Sequence, residues 1–142
     1  MYRWLAPELI EPPPNANGMI APVFTKEADV FAFGMVAVEL FTGEVPFGWM
    51  NGNAWVLERV LMGTRPENPS GAGEVGLTDS MWELICRCWE QNPARRPTMK
   101  EVVRGLETLV CDDIRGGFQA LIDEHGRIAH GGSGLDSLSS EV

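Results

Sequence analysis

The sequence predicts a mainly α fold with no complete sheet, and three observations carry that reading. Four stretches repeat apolar residues at three- and four-residue spacing. A Ser, Thr, Asp or Asn stands ahead of each, and glycine or proline closes the first three. No run alternates apolar and polar residues with period two over a useful length, so no strand is predicted.

The first ten residues, MYRWLAPELI, place Ala6-Pro7-Glu8 ahead of a helix-prone Leu9-Ile10 and read as the end of a loop. Residues 11–24 read as irregular. Pro12, Pro13 and Pro14 donate no backbone hydrogen bonds, and Asn15, Asn17 and Gly18 favour turns. A helix then starts at Thr25 or Asp29, either of which can cap it. From Val30 to Phe41 nearly every side of it is apolar, the pattern of a central, buried helix. Gly43 supplies its left-handed stop, and Pro46 prevents its resumption.

A shorter helix is predicted over 53–62, capped by Asn53 and ended by Gly63, with Val56/Val60 and Leu57/Leu61 as i,i+4 pairs on its inner side. Ser80-Met81-Trp82-Glu83 reads as a capping box opening a third helix, with Met81, Trp82, Ile85, Cys88 and Trp89 at helical spacing. Thr98-Met99-Lys100-Glu101 reads as a second capping box. Behind it, Val102, Val103, Leu106, Leu109 and Val110 form an inward stripe. The predicted domain is therefore 1–110. Residues 111–142 form an acidic tail: a weak helix over Asp112–Glu124, with Ile114, Phe118, Leu121 and Ile122 on one side, then disorder from Gly126.

Composition narrows the function. With 142 residues and 44% apolar side chains the chain can bury a real core. Its 20 acidic against 11 basic side chains give a net charge of −9, which repels phosphate backbones and anionic lipid. Nucleic acid and membrane surfaces are therefore not expected as partners. Cys86, Cys88 and Cys111 have no disulfide-like spacing, and Cys86 and Cys88 point to opposite sides of their helix. No zinc site is expected. No basic n-region with an apolar core opens the sequence, so no signal peptide is expected, and the longest apolar run is too short to span a bilayer. The expected location is a reducing, cytoplasmic one.

Gly71-Ala72-Gly73-Glu74-Val75-Gly76 matches the phosphate-loop spacing G-x-G-x-x-G literally. It lies between helices, no strand leads into it, and Glu74 would face the phosphates, so it reads as a connector.

A dispersed pattern is more informative. It runs Trp4-x-Ala6-Pro7-Glu8, Asp29-Val30-Phe31-x-Phe33-Gly34, Gly43-x-x-Pro46-Phe47, Cys88-Trp89 and Asn92-Pro93-x-Arg95-Arg96-Pro97-Thr98. In this order and at these spacings it resembles the C-terminal half of the large lobe of a eukaryotic protein kinase, and the tyrosine-kinase-like group most of all. The resemblance covers residues 2–110. It implies that Trp4 to Glu8 close the activation segment beside the substrate-cradling loop, and that Glu8 forms a buried ion pair with Arg96. A bidentate guanidinium–carboxylate pair suits such a staple, which Lys cannot replace. Asp29 in this family holds the catalytic loop. That loop is not in this sequence, so Asp29 is expected to cap its own helix instead. Residues 53–62 match the family's docking helix. Arg3, Trp4, Trp49 and Trp55 are candidate substrate or partner contacts, with Trp49 and Trp55 either exposed or packed.

The family's phosphoryl transfer needs a Lys on a strand, a Glu that orients it, a catalytic Asp, and an Asp and Asn for magnesium. All of these precede the Ala-Pro-Glu. Neither H-R-D nor D-F-G occurs in the 142 residues, and the lysines, Lys26 and Lys100, lie on the wrong elements. No residue is assigned to catalysis, to ATP or to a metal; ATP and magnesium are implied only for the intact family domain. Two readings follow. The chain is part of a phosphotransferase, inactive alone, or it is a non-catalytic interaction module. In either case an apolar face of the 29–42 helix is left open, which predicts poor solubility or dependence on a protein partner or chaperone.

Overall fold

The computed structural model describes residues 2–69, 73 and 76–130, with the backbone alone at 118 and 124–130. Among these residues five α-helices follow in order: α1 Pro7–Ile10, α2 Lys26–Thr42, α3 Asn53–Leu61, α4 Asp79–Cys88 and α5 Met99–His130. Single 3-10 turns lie at Tyr2–Trp4 and Pro93–Arg95. Among the described residues there is no strand, only an isolated bridge between Pro14 and Ile20. The fold is mainly α, as the periodicities predict. Contacts divide the chain into two units, 1–106 and 107–142.

The centre of the first unit is α2. Thr25 has extended backbone, and its hydroxyl accepts from the Ala28 N–H, so the helix begins at Lys26. Gly43 adopts φ 70° and donates its N–H to the Glu39 carbonyl, ending it. Phe31, Met35 and Val38 are buried on one side together with Ile85, Trp89, Val56, Val60 and Phe47. Val30 packs with Cys88 and Val102 on another. The helix is nevertheless not buried all round. Val36 and Leu40 share a third face that stays open, with Leu40 79% exposed.

Packing of α4 on α2 depends on absent side chains. A Cβ at Gly34 would lie 3.1 Å from the Cys88 Cβ and 3.4 Å from the Ile85 carbonyl oxygen. Gly105 of α5 lies as close to Leu84 of α4, where a Cβ would meet Leu84 Cδ2 at 3.1 Å. Glycine at both places lets the helices approach until Ile85, Cys88 and Val102 lose all contact with water. Trp82 and Trp89 meet edge to face, with centroids 5.5 Å apart.

Several predicted helix starts shift. The α4 cap is Thr78, whose hydroxyl accepts from Met81, so Ser80 lies inside the helix and Glu83 makes no capping box. Asn53 is the first helical residue of α3, and its side chain caps nothing; Gly52, with φ 101°, makes the entry turn. At α5 the box closes in both directions. The Glu101 carboxylate accepts from the Thr98 N–H at 2.7 Å and from its hydroxyl at 2.8 Å, and the Glu101 N–H returns to the Thr98 hydroxyl at 3.3 Å.

The predicted inward stripe of α5 is narrower than expected. Val102 is fully buried and Leu106 half-buried, while Val103 and Val110 are exposed. Adjacent residues sit about 100° apart on a helix, so a helix that packs through one narrow face buries Val102 and leaves Val103 outside. Nor does the helix stop at 110. It runs to His130, through the predicted weak helix and past Gly126, where disorder was expected. Extending an existing helix is easier than starting a new one. Residues 131–142, the rest of the predicted disordered stretch, lie outside the described residues, as do Gly71, Ala72, Glu74 and Val75 of the glycine-rich match.

The Thr98 hydrogen bonds hold the Glu101 carboxyl below the usual glutamate range. The unfolded chain therefore binds this proton at higher pH than the folded one does. The resulting stability is present above the unfolded-state pKa and is lost as pH falls through the lower folded-state value. Glu101→Gln is expected to remove that part of the acid sensitivity, read as a flatter pH dependence of the urea midpoint. Identical profiles for the two proteins would contradict it.

Candidate functional site

Three arginines and a tryptophan fasten the N-terminal segment, the helix-linking loops and α2 to one another. The Tyr2–Trp4 turn is fastened first. Arg3 donates to the carbonyls of Pro46, Phe47 and Met50, at 3.0 Å to Pro46 and 2.9 Å to Met50. The loop it grips is strained: Phe47 has φ 56°, a left-handed conformation costing a non-glycine residue on the order of 1–3 kcal/mol. Burial of the Phe47 ring in the main core offsets that cost. Trp4 donates its indole N–H to Glu39 of α2 at 2.9 Å. Arg3 and Trp4 were candidate docking side chains. Both are instead half-buried and engaged internally. Their polar atoms are taken up by carbonyls and a carboxylate from two later elements.

Next comes the Ala-Pro-Glu. Pro7 at the first position of α1 needs no N–H partner, and Glu8 follows in the first turn, where a negative charge suits the helix dipole. Its two carboxylate oxygens receive Arg96 Nη1 at 2.6 Å and Nη2 at 2.9 Å, across 88 positions of sequence. Arg96 is the one buried charged residue of the described core, with its side chain 0% exposed against 17% for Glu8. It also donates Nη1 to the Glu27 carbonyl at 2.9 Å, Nε to the Glu90 carbonyl at 2.8 Å, and Nη2 to Gln91 at 3.5 Å. Every guanidinium proton is therefore aimed at an oxygen, the condition for burying this charge.

Beneath lies Phe31. The Arg96 Cζ is 5.0 Å from its ring centre and the Arg65 Cζ is 4.9 Å from it. Arg65 donates Nε to the Trp89 carbonyl at 2.9 Å and Nη1 to Thr64 at 2.8 Å, and Nη2 reaches the Gln91 side chain at 2.6 Å. Gln91 in turn donates to the Leu61 carbonyl at 3.1 Å. Burial, and then the charge of Arg96, push Arg65 down to about 10, which leaves it charged at neutral pH. Sequence reasoning missed Arg65 and Gln91. Their partners are chiefly backbone carbonyls, which leave no mark in a sequence; the only signal was an arginine immediately before a proline.

Asp29 does not cap α2. A cap must precede the first helical residue, and Thr25 holds that place, while the Asp29 N–H already donates to the Thr25 carbonyl. The Asp29 side chain is exposed and borders a cavity of about 220 Å³ with Lys26, Val30, Arg96 and Pro97. A second cavity of about 410 Å³ lies beside Glu8, walled by Pro12, Pro13, Val23 and Pro93. Trp49 and Trp55 at the head of α3 are both exposed, at 77% and 61%. Of the seven candidates, the structure brings Glu8 and Arg96 together, fastens Arg3 and Trp4 internally, and leaves Asp29, Trp49 and Trp55 facing solvent.

Nothing here is arranged as a nucleophile or a metal centre. Burial pushes the Cys88 thiol up to about 11 and raises that of Cys86, so both stay protonated. Among the described residues no three His, Cys, Asp or Glu side chains converge to hold a metal ion. Among the described residues no helix is long and apolar enough to cross a membrane.

A helical lobe organised on a Phe-backed arginine, forked onto the glutamate of an Ala-Pro-Glu, defines the class: the large lobe of a protein kinase domain. Residues 1–106 match the family model described as protein tyrosine and serine/threonine kinase, and the chain belongs to that family. Among similar proteins, the serine/threonine-protein kinase STY17 of Arabidopsis thaliana is 33% identical over 125 residues, 88% of this chain and 19% of the relative. That similarity extends at least 19 residues outside the family model's span. The serine/threonine/tyrosine-protein kinase HT1 of the same plant is 33% identical over 75% of this chain and 24% of its own length. The proto-oncogene tyrosine-protein kinase ROS of Gallus gallus is 34% identical over 75% and 4% respectively. The chain thus spans less than a quarter of each of these relatives.

Glu8→Gln leaves Arg96 charged and buried with no counter-charge. It is expected to lower the unfolding free energy by about 3–5 kcal/mol. Arg96→Lys should be nearly as damaging, because a single ammonium cannot reach both carboxylate oxygens and three carbonyls. Urea unfolding by tryptophan fluorescence reads both. Losses below about 0.5 kcal/mol, the level of an exposed pair, would deny the fork its anchoring role.

Proposed function

We propose that this chain is the anchoring portion of a protein kinase large lobe, and that it takes part in phosphoryl transfer only together with ATP-binding and catalytic elements that its 142 residues do not contain. The observation that carries this is the Glu8–Arg96 fork on Phe31. It fixes the end of the segment that, in the family, cradles the substrate peptide, and it ties that segment to the loop before α5. In the intact domain, ATP and magnesium supply the phosphoryl group and its charge neutralisation, and a Ser, Thr or Tyr hydroxyl of a protein receives it. This chain's residues position; they do not touch the reacting atoms.

The open face of α2 supports the same reading. Val36 and Leu40 are apolar and exposed on the helix that otherwise organises the core, so a further element of the domain, a protein partner or a chaperone covers them. Free thiols at Cys86, Cys88 and Cys111 suit a reducing compartment, the cytoplasm. The acidic charge argues against nucleic acid and membrane partners. One observation favours a second reading, a non-catalytic interaction module: Trp49 and Trp55 stand exposed at the start of α3.

The purified chain is expected to transfer no phosphate from radiolabelled ATP to a mixed Ser, Thr and Tyr peptide pool, and to gain no thermal stability from magnesium and ATP. Incorporation that stays in constant ratio to the chain through successive purification steps would refute the proposal. If the proposal holds, substituting Val36 and Leu40 by serine should raise the soluble yield of the isolated chain. An unchanged yield from both serine substitutions would count against the covered-face argument.

A further inference from the structure

The second unit begins within α5. From Glu107 to His130, α5 runs 24 residues, and none of its described residues is buried. Val110, Ile114 and Ile122 are 58%, 66% and 50% exposed, and Leu121 stands among them. At 100° per residue, Val110, Leu121 and Ile114 fall at about 0°, 20° and 40°, a narrow apolar stripe, while Ile122 lies apart at about 120°, beside Arg115 at about 140°. Val110 to Ile122 covers about 18 Å along the axis. Glu107 and Asp113, at about 60° and 300°, border the stripe, and residues 107–124 carry five acids against one arginine.

Such a helix is not self-sufficient. Gly116 and Gly117 occupy its middle, each weakening it by about 1 kcal/mol relative to alanine. In proteins most helical stability comes from packing an amphipathic face rather than from intrinsic propensity. Yet the stretch is not arbitrary chain, since the similarity to the plant STY17 kinase extends into or beyond this helix.

We propose that residues 107–124 are a docking helix whose apolar stripe enters a basic, apolar-floored groove of another protein. The sign of the charge selects this occupant. A second copy would set the acidic borders of two identical stripes against each other, and anionic lipid would be repelled by the same acids. A groove rimmed by Lys or Arg meets Glu107 and Asp113 while its floor covers Val110 and Ile114, the helix-in-groove mode of recognition.

The test uses the whole 142-residue chain and a fluorescent, helix-forming Lys/Leu peptide as the basic apolar probe, with its Glu/Leu counterpart as control. The chain is expected to bind the Lys/Leu peptide, more weakly at higher salt, and not the Glu/Leu peptide. Val110→Asp with Ile114→Asp is expected to weaken that binding at least tenfold, although it adds two negative charges. Gln119→Glu, on the opposite side of the helix, should leave binding unchanged or slightly tighter. Equal or tighter binding by the Val110/Ile114 variant would reduce the effect to net charge and overturn the proposal. So would no binding of the Lys/Leu peptide, or sedimentation showing that the chain self-associates through Val110 and Ile114.

Discussion

One buried cation sets the conditions for the rest of the first unit. The Arg96 side chain has no contact with water, and a guanidinium in that state is tolerable only if every N–H finds an oxygen and the charge finds its opposite. Those requirements reach in several directions at once. Glu8 must arrive from the N-terminal segment, Glu27 must offer its carbonyl from the first turn of α2, and Glu90 and Gln91 must turn theirs inward after α4. Each of these segments is therefore constrained by a group it does not contain. Phe31 gives the cation an aromatic surface where a floor of aliphatic side chains would not attract it.

Arg65 repeats the arrangement on the other flank, over the same ring, without a carboxylate of its own. Its charge is held by carbonyl dipoles and by Gln91, which is why burial and its neighbour Arg96 both weigh against it. Gln91 joins the two cations, offering its side chain to Arg65 and its carbonyl to Arg96. The loops after α3 and after α4 are thereby coupled through α2. No described residue of either loop pairs with a strand, and there polar contacts to arginine supply the order that a sheet supplies elsewhere.

The sequence was legible where chemistry is local or where a motif is distinctive. Gly43 as the stop of α2 and the Thr98–Glu101 box could be read from a few adjacent residues because their geometry involves only those residues. Helix starts were less legible. Thr78, Asp79 and Ser80 are all competent caps, and the choice among them lies in backbone angles that depend on what precedes them. Asp29 shows the same ambiguity, with Thr25 winning by four residues. Pairing across 88 residues cannot come from periodicity at all. Glu8 and Arg96 were joined through the resemblance of the whole pattern, while Arg65, which no quoted motif included, was overlooked.

The hydrophobicity of α2 exceeds what the first unit buries, and that excess is informative. Phe31, Met35 and Val38 account for one face and Val30 for a second, yet Val36 and Leu40 are as apolar and stand open. A helix selected only for this unit would carry polar residues there, as α3 does at Glu58 and Arg59. The same argument applied to the second half of α5 gives a different answer. Its apolar stripe is edged by the exposed acids Glu107 and Asp113, whereas beside the open stripe of α2 the Glu39 carboxylate is already taken up by the Trp4 indole. An apolar face whose neighbouring charge is satisfied internally suits permanent packing within a domain, and one edged by free acids suits a partner that comes and goes in water. On the readings proposed above, the two open faces would take two different neighbours, one belonging to the kinase fold and one outside it.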